Sequence, residues 1–133
     1  MLAVLLAVAV QASNANLLGY WTNESGSVVV LIAPCGTDAV CGTVKWASEK
    51  ARADAQRGGT MSLIGTSLLT DFVPGARGRW RGTLFVPDLN KRSKAELERL
   101  DDDRIRIRGC AVGRLICKSQ VWVRDRNYRG GED

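Results

Sequence analysis

Short apolar runs recur along the chain, each a few residues long and divided by turn-forming residues about every ten positions. Ser27–Ala33 reads Ser-Val-Val-Val-Leu-Ile-Ala, dense in β-branched residues, with Gly26 before it and Pro34 after it; this predicts a strand. Cys41–Trp46 predicts a second strand. Ala47–Gly59 is polar and alanine-rich and ends in Gly58-Gly59, which suits a turn or two of helix or a long loop. Met61–Phe72 carries Leu63-Ile64 and Leu68-Leu69 on either side of Gly65, predicting two short strands or one bent strand. Pro74-Gly75 marks a turn. In Arg79–Val86, Trp80, Gly82, Leu84 and Val86 alternate with Arg81, Thr83 and Phe85, a strand with one basic side, and Pro87–Asn90 turns the chain again.

Lys94–Leu100 is ambiguous from composition, because Ala, Glu, Leu and Arg favour helix. Ala95 and Leu97 nevertheless alternate with Lys94, Glu96 and Glu98, and the neighbouring hairpins favour a strand. Asp101–Asp103 reads as a turn; it lacks the spaced acidic ligands, central glycine and distal glutamate of a calcium loop. Arg104–Cys110 sets Arg104, Arg106 and Arg108 against Ile105 and Ile107, the signature of a half-buried antiparallel strand. Lys118–Arg124 is the last predicted strand, followed by a polar tail. Strands at this spacing predict an all-β chain folded as an antiparallel barrel or sandwich.

The 133 residues suffice for one domain, expected over residues 16–126, with a flexible tail over 127–133. Leu2–Val10 is continuously apolar but too short to span a bilayer. Val10-Gln11-Ala12 and Ser13-Asn14-Ala15 both have the small-x-small form of a cleavage site, so residues 1–15 are expected to be a signal peptide cut after Ala12 or Ala15. The expected location is therefore periplasmic or secreted, without an integral membrane segment after cleavage. The net charge of +5 is spread along the strands in Arg77, Arg79 and Arg81, in Lys91, Arg92 and Lys94, and in Arg104, Arg106 and Arg108. Such a spread fits solvated strand faces, or attraction to an anionic envelope polymer, lipid or protein surface; nucleic acid is not an expected partner of an exported chain.

Four cysteines allow three pairings. Pairing Cys35 with Cys41 and Cys110 with Cys117 is favoured, because each pair brackets a turn carrying Gly36 or Gly113. A bridge of this loop size stabilises by roughly 2 kcal/mol in the chain-entropy model. Structural zinc prefers two to four residues between paired cysteines, and the five and six here point away from a metal site. The chain has no histidine, and Ser62, Ser67 and Ser119 have no base in view. Glu96, Glu98 and Asp101–Asp103 fall on one exposed hairpin rather than in a cleft. No enzyme activity and no cofactor are expected. Trp46, Trp80 and Phe85 are the aromatic residues proposed to line a cavity for a small apolar ligand, since small barrels either fill with side chains or hold one small molecule.

Five stretches together resemble one bacterial family. They are Gly19-Tyr20-Trp21; Cys35 through Cys41-Gly42-Thr43-Val44-Lys45-Trp46; Trp80-Arg81-Gly82; Arg108-Gly109-Cys110; and Cys117-Lys118-Ser119-Gln120-Val121-Trp122-Val123-Arg124. The chain resembles the bacterial domain-of-unknown-function family 2147 from about Leu18 to Arg124. The resemblance implies a small lipocalin-like β-barrel of about eight strands, exported in Gram-negative bacteria, with no established activity. Two loops depart from the family pattern: Ser48–Arg57 lacks an Asp-x-x-Asn-Pro element, and Val86–Ser93 lacks a glycine and a tyrosine that relatives carry. Gly19-x-Trp21 and Trp122-x-Arg124 also look like a lipocalin's closing signature, implying that Arg124 covers the face of Trp21 as a structural plug; a guanidinium over an indole contributes roughly 0.5–2 kcal/mol. The functional expectation is non-catalytic binding of a small apolar or amphipathic envelope molecule, the alternative a structural or interaction module docking on anionic envelope components.

Overall fold

The computed structural model describes residues 13–110 and 117–128. The segment read as the core of a signal peptide, the residues between the second pair of cysteines and most of the predicted tail lie outside the described residues. A 3-10 turn over Asn14–Leu17 leads into β1 (Gly19–Thr22), β2 (Val28–Pro34), β3 (Val40–Ala47), α1 (Glu49–Gly58), β4 (Ser67–Pro74), β5 (Arg79–Val86), β6 (Lys91–Asp101), β7 (Arg104–Cys110) and β8 (Cys117–Arg124). Each strand pairs antiparallel with its successor, and β8 returns to β1, closing an eight-stranded barrel. Closure removes the unpaired edges that an open sheet would expose. Both disulfides have the local connectivity, Cys35–Cys41 across the β2–β3 turn and Cys110–Cys117 across β7–β8.

The connections divide between two ends. The base holds the 3-10 turn, the β2–β3, β4–β5 and β6–β7 turns and the chain following Arg124. The mouth holds the β1–β2 turn, α1, the β5–β6 turn and the bridged end of β7 and β8. Between them the interior is filled. Gly42, Gly82 and Gly109 face inward, where a Cβ at Gly42 would lie 3.0 Å from Leu69 Cδ1 and from Val30 Cγ1, one at Gly82 2.5 Å from Phe72 Cδ1, and one at Gly109 3.0 Å from Leu84 Cδ2. These glycines make room for larger side chains opposite, so the middle of the barrel is solid.

Several elements depart from the sequence reading. Ala47–Gly59 contains a full α-helix: the Ser48 hydroxyl accepts from the Ala51 amide at 3.1 Å, and Gly59 ends the helix at φ +108°. Met61–Thr66 is a loop rather than a strand; it lies against β3 through bonds from Gly65 N–H to the Val44 carbonyl (2.8 Å) and from Val44 N–H to the Thr66 carbonyl (2.9 Å). β6 runs for 11 residues as a strand in spite of its helix-favouring composition, because β5 and β7 supply ladders on both sides. β1 was not evident in the alternation, since four residues carry too little of a period.

Helix and loop together cover one part of the outer face. Leu68 and Phe85 face outward by register yet are buried. The covering segment is anchored by Thr60, whose hydroxyl donates to the Pro87 carbonyl at 2.8 Å, and by Gly58, where a Cβ would collide with the Asp88 carbonyl at 1.9 Å. Elsewhere the outer face carries charge. Arg79 and Arg81 on β5 and Arg106 on β7 flank Glu96 and Glu98 on β6, with N–O distances of 3.1–3.9 Å.

Candidate functional site

The base is sealed by a tryptophan and an arginine. Trp21 is fully buried, and its indole N–H donates to the Leu17 carbonyl at 2.9 Å. The Arg124 guanidinium stands 4.3 Å from the ring centroid. Its Nε donates to the Asp102 carbonyl at 2.9 Å, Nη1 to the Leu18 carbonyl at 2.8 Å and Nη2 to the Asn16 carbonyl at 2.8 Å. One side chain thus joins the β6–β7 turn to the segment that precedes β1. Gly19 permits this: at φ +123° it holds a conformation L side chains rarely adopt, and a Cβ there would lie 3.1 Å from Arg124 Nη1. Burial, and then the neighbouring Arg126, lower the Arg124 pKa, while Asp103 acts in the opposite direction. Trp80 completes the base, its indole N–H donating to Asn14 Oδ1 at 2.8 Å.

At the other end, inward-facing positions are accessible. Leu84, Val86, Ser93 and Gly109 are half-buried, and Lys91, Lys118 and Gln120, which face inward by register, are exposed. Trp80, Leu97 and Ile105, on the same strands near the base, are at most 1% exposed. The barrel therefore grades from a dry base to a wetted mouth, with an apolar floor (Leu84, Val86) and a rim bearing two lysines. That combination can hold an apolar group and an anionic head together.

A third feature lies outside the base. Ala15, Asn16, Arg99, Asp102, Arg124 and Arg126 line a surface pocket of about 310 Å³. Arg99 pairs with Asp102 and Arg126 with Asp103.

The chain matches the model of a family described as uncharacterized proteins conserved in bacteria (DUF2147), over residues 19–124. It belongs to the DUF2147 family. No curated protein and no solved structure matches this DUF2147 chain significantly.

The three aromatic residues read as a cavity lining do not come together in this DUF2147 barrel. Trp80 belongs to the base. Trp46 lies opposite Val29 on the outer face and is 42% exposed. Phe85 is on the outer face beneath the α1 segment, with Arg92 stacked 5.2 Å from its ring centroid. Alternation alone could not separate these cases, because a bulge between Val29 and Val30 shifts the β3 register and the cover over Phe85 comes from elsewhere in the chain. Trp21 and Arg124 do meet, as cross-strand partners where β1 joins β8. Sequence reasoning missed Arg99, Arg126 and Asp102, which carry no local motif. Cys35, Cys41 and Asp71 lie close together, but both sulfurs are engaged in the disulfide.

Proposed function

We propose that this DUF2147 protein is a non-catalytic binding protein of an extracytoplasmic, oxidising compartment, and that the mouth of its lipocalin-like barrel takes a small amphipathic anion of the envelope. The reading rests on the contrast between the two ends: inward-facing Leu84 and Val86 are partly accessible beside Lys91 and Lys118, whereas Trp80, Leu97 and Ile105 are sealed. The solid middle makes the site a shallow cup, suited to a short apolar segment rather than to a whole lipid. Two disulfides support an oxidising location, and the apolar segment up to Ala12 supplies the export signal in this reading.

Dodecanoate is a suitable probe. Native mass spectrometry and calorimetric titration of the oxidised protein are expected to give one saturable site, weakened about fivefold or more by Lys118→Glu. No adduct, or binding indifferent to that substitution and to Val86→Asp, would reject the mouth as the site.

A second reading has one observation in its favour. On the outer face of β5–β7, Arg79, Arg81, Arg92, Lys94, Arg104, Arg106 and Arg108 outnumber Glu96, Glu98 and Asp101. A docking module would bind anionic vesicles through this face with an affinity that falls as salt rises, and it would not need the mouth.

A further inference from the structure

We propose that the arginine-lined pocket outside the base is a binding site for a hydrogen-phosphate oxyanion, either free or as a phosphate monoester. The charges argue for an anion. Three guanidiniums, from Arg99, Arg124 and Arg126, converge on a region with two carboxylates, Asp102 and Asp103. Each carboxylate is paired, Asp102 with Arg99 and Asp103 with Arg126. Arg124 instead gives its donors to three neutral carbonyls, with the nearest carboxylate oxygen, Asp103 Oδ1, at 3.9 Å. One positive charge in the group thus lacks a close counterion. Its side chain is only 15% exposed, so water compensates it poorly.

The donor chemistry of the lining points the same way. Guanidinium forks match the oxygens of phosphate in pairs, which is why arginine recurs in phosphate sites. The pocket, about 310 Å³, admits a phosphate with a small ester group.

Asp102 determines the kind of oxyanion. Its carboxylate lines the pocket and would repel an ion that can only accept hydrogen bonds. A P–OH group donates to that carboxylate, and a phosphate monoester keeps one below about pH 6. Sulfate at this pH has no such proton. Phosphate is therefore favoured over sulfate, and the preference resides in Asp102.

The test uses the oxidised full chain at pH 5.5 in low-chloride buffer, titrated with inorganic phosphate and with sulfate, and followed by calorimetry and by backbone amide NMR. Saturable phosphate binding is expected, with shifts centred on Asn16, Asp102 and Arg126, and sulfate at least fivefold weaker. Arg126→Gln, at a side chain 66% exposed, is expected to fold normally and to weaken phosphate about 5- to 30-fold. Arg99→Gln is expected to act likewise, and Asp102→Asn to abolish the preference over sulfate. Phosphatidate-containing phosphatidylcholine vesicles separate the sources: binding displaced by free phosphate identifies a lipid monoester, and phosphate binding without vesicle binding identifies a soluble one. Absence of saturable phosphate binding overturns the proposal. So does binding that Arg126→Gln leaves unchanged, or equal affinity for sulfate in the unmodified protein.

Discussion

Replacing Arg124 tests whether one side chain holds the barrel shut. The β1–β8 seam is the shortest in the barrel, with two register pairs, Trp21–Arg124 and Thr22–Val123, where β5 and β6 share eight. Around it, Asp125 N–H donates to the Tyr20 carbonyl at 2.9 Å and Thr22 Oγ1 to Asp125 Oδ2 at 3.1 Å. Arg124→Ala removes the cation–π contact, worth roughly 0.5–2 kcal/mol, and three charge-assisted bonds. Only the bond to Leu18 is shielded from water, at about 1.5 kcal/mol, and the two exposed ones contribute a few tenths each. The sum is about 2–4 kcal/mol, or roughly 6–18 °C in Tm for a domain of this size. Arg124→Lys keeps the charge but loses the planar fork, so about half the loss is expected. Near-ultraviolet circular dichroism on heating, with both disulfides intact, measures each. A Trp21→Leu, Arg124→Ala double-mutant cycle should return a coupling of about 0.5–2 kcal/mol. A Tm shift below about 2 °C for Arg124→Ala, or zero coupling to Trp21, would refute the idea that this pair clamps the seam.

Other substitutions probe the interior, the turns and the N-terminal segment. Gly82→Ala places a Cβ 2.5 Å from the Phe72 ring and 2.8 Å from the Thr70 carbonyl, so a loss of about 1–3 kcal/mol in urea unfolding is expected. The Asp101 carboxyl is held below its usual pKa of 3.8, first by the Asp103 amide and then by the Arg104 side chain. Its contribution is fully present above the unfolded value and disappears as pH falls through the lower folded value, so Asp101→Asn should flatten the acid side of a urea-midpoint-versus-pH curve. Cleavage after Ala12 retains Asn14 Oδ1 for the buried Trp80 indole, whereas cleavage after Ala15 removes it at a cost of about 1–3 kcal/mol. Under the proposed export, intact-mass analysis of the mature protein is expected to place Ser13 at the N-terminus.

Local pattern was enough to read β2, β5, β7 and β8, because a strand with one wet face writes its period into neighbouring residues, as Arg104–Cys110 does. It favoured the two local disulfides over the other pairings as well, and each does bridge the ends of adjoining strands. Barrel rather than sandwich was not legible from alternation, because both architectures impose the same period of two; the return of β8 to β1 distinguishes them. Lys94–Leu100 could have been helix or strand until β5 and β7 flanked it. The same holds for chemistry. Phe85 and Trp46 sit in similar alternating runs, yet a helix covers one outer face and solvent meets the other. Arg99, Asp102, Arg124 and Arg126 come from β6, a turn, β8 and the chain beyond it, and no spacing rule links them. Period and turn chemistry act over a few residues and are therefore written in the chain; the meeting of distant charges depends on how many strands close the barrel and in what register, which is settled only by packing the whole molecule.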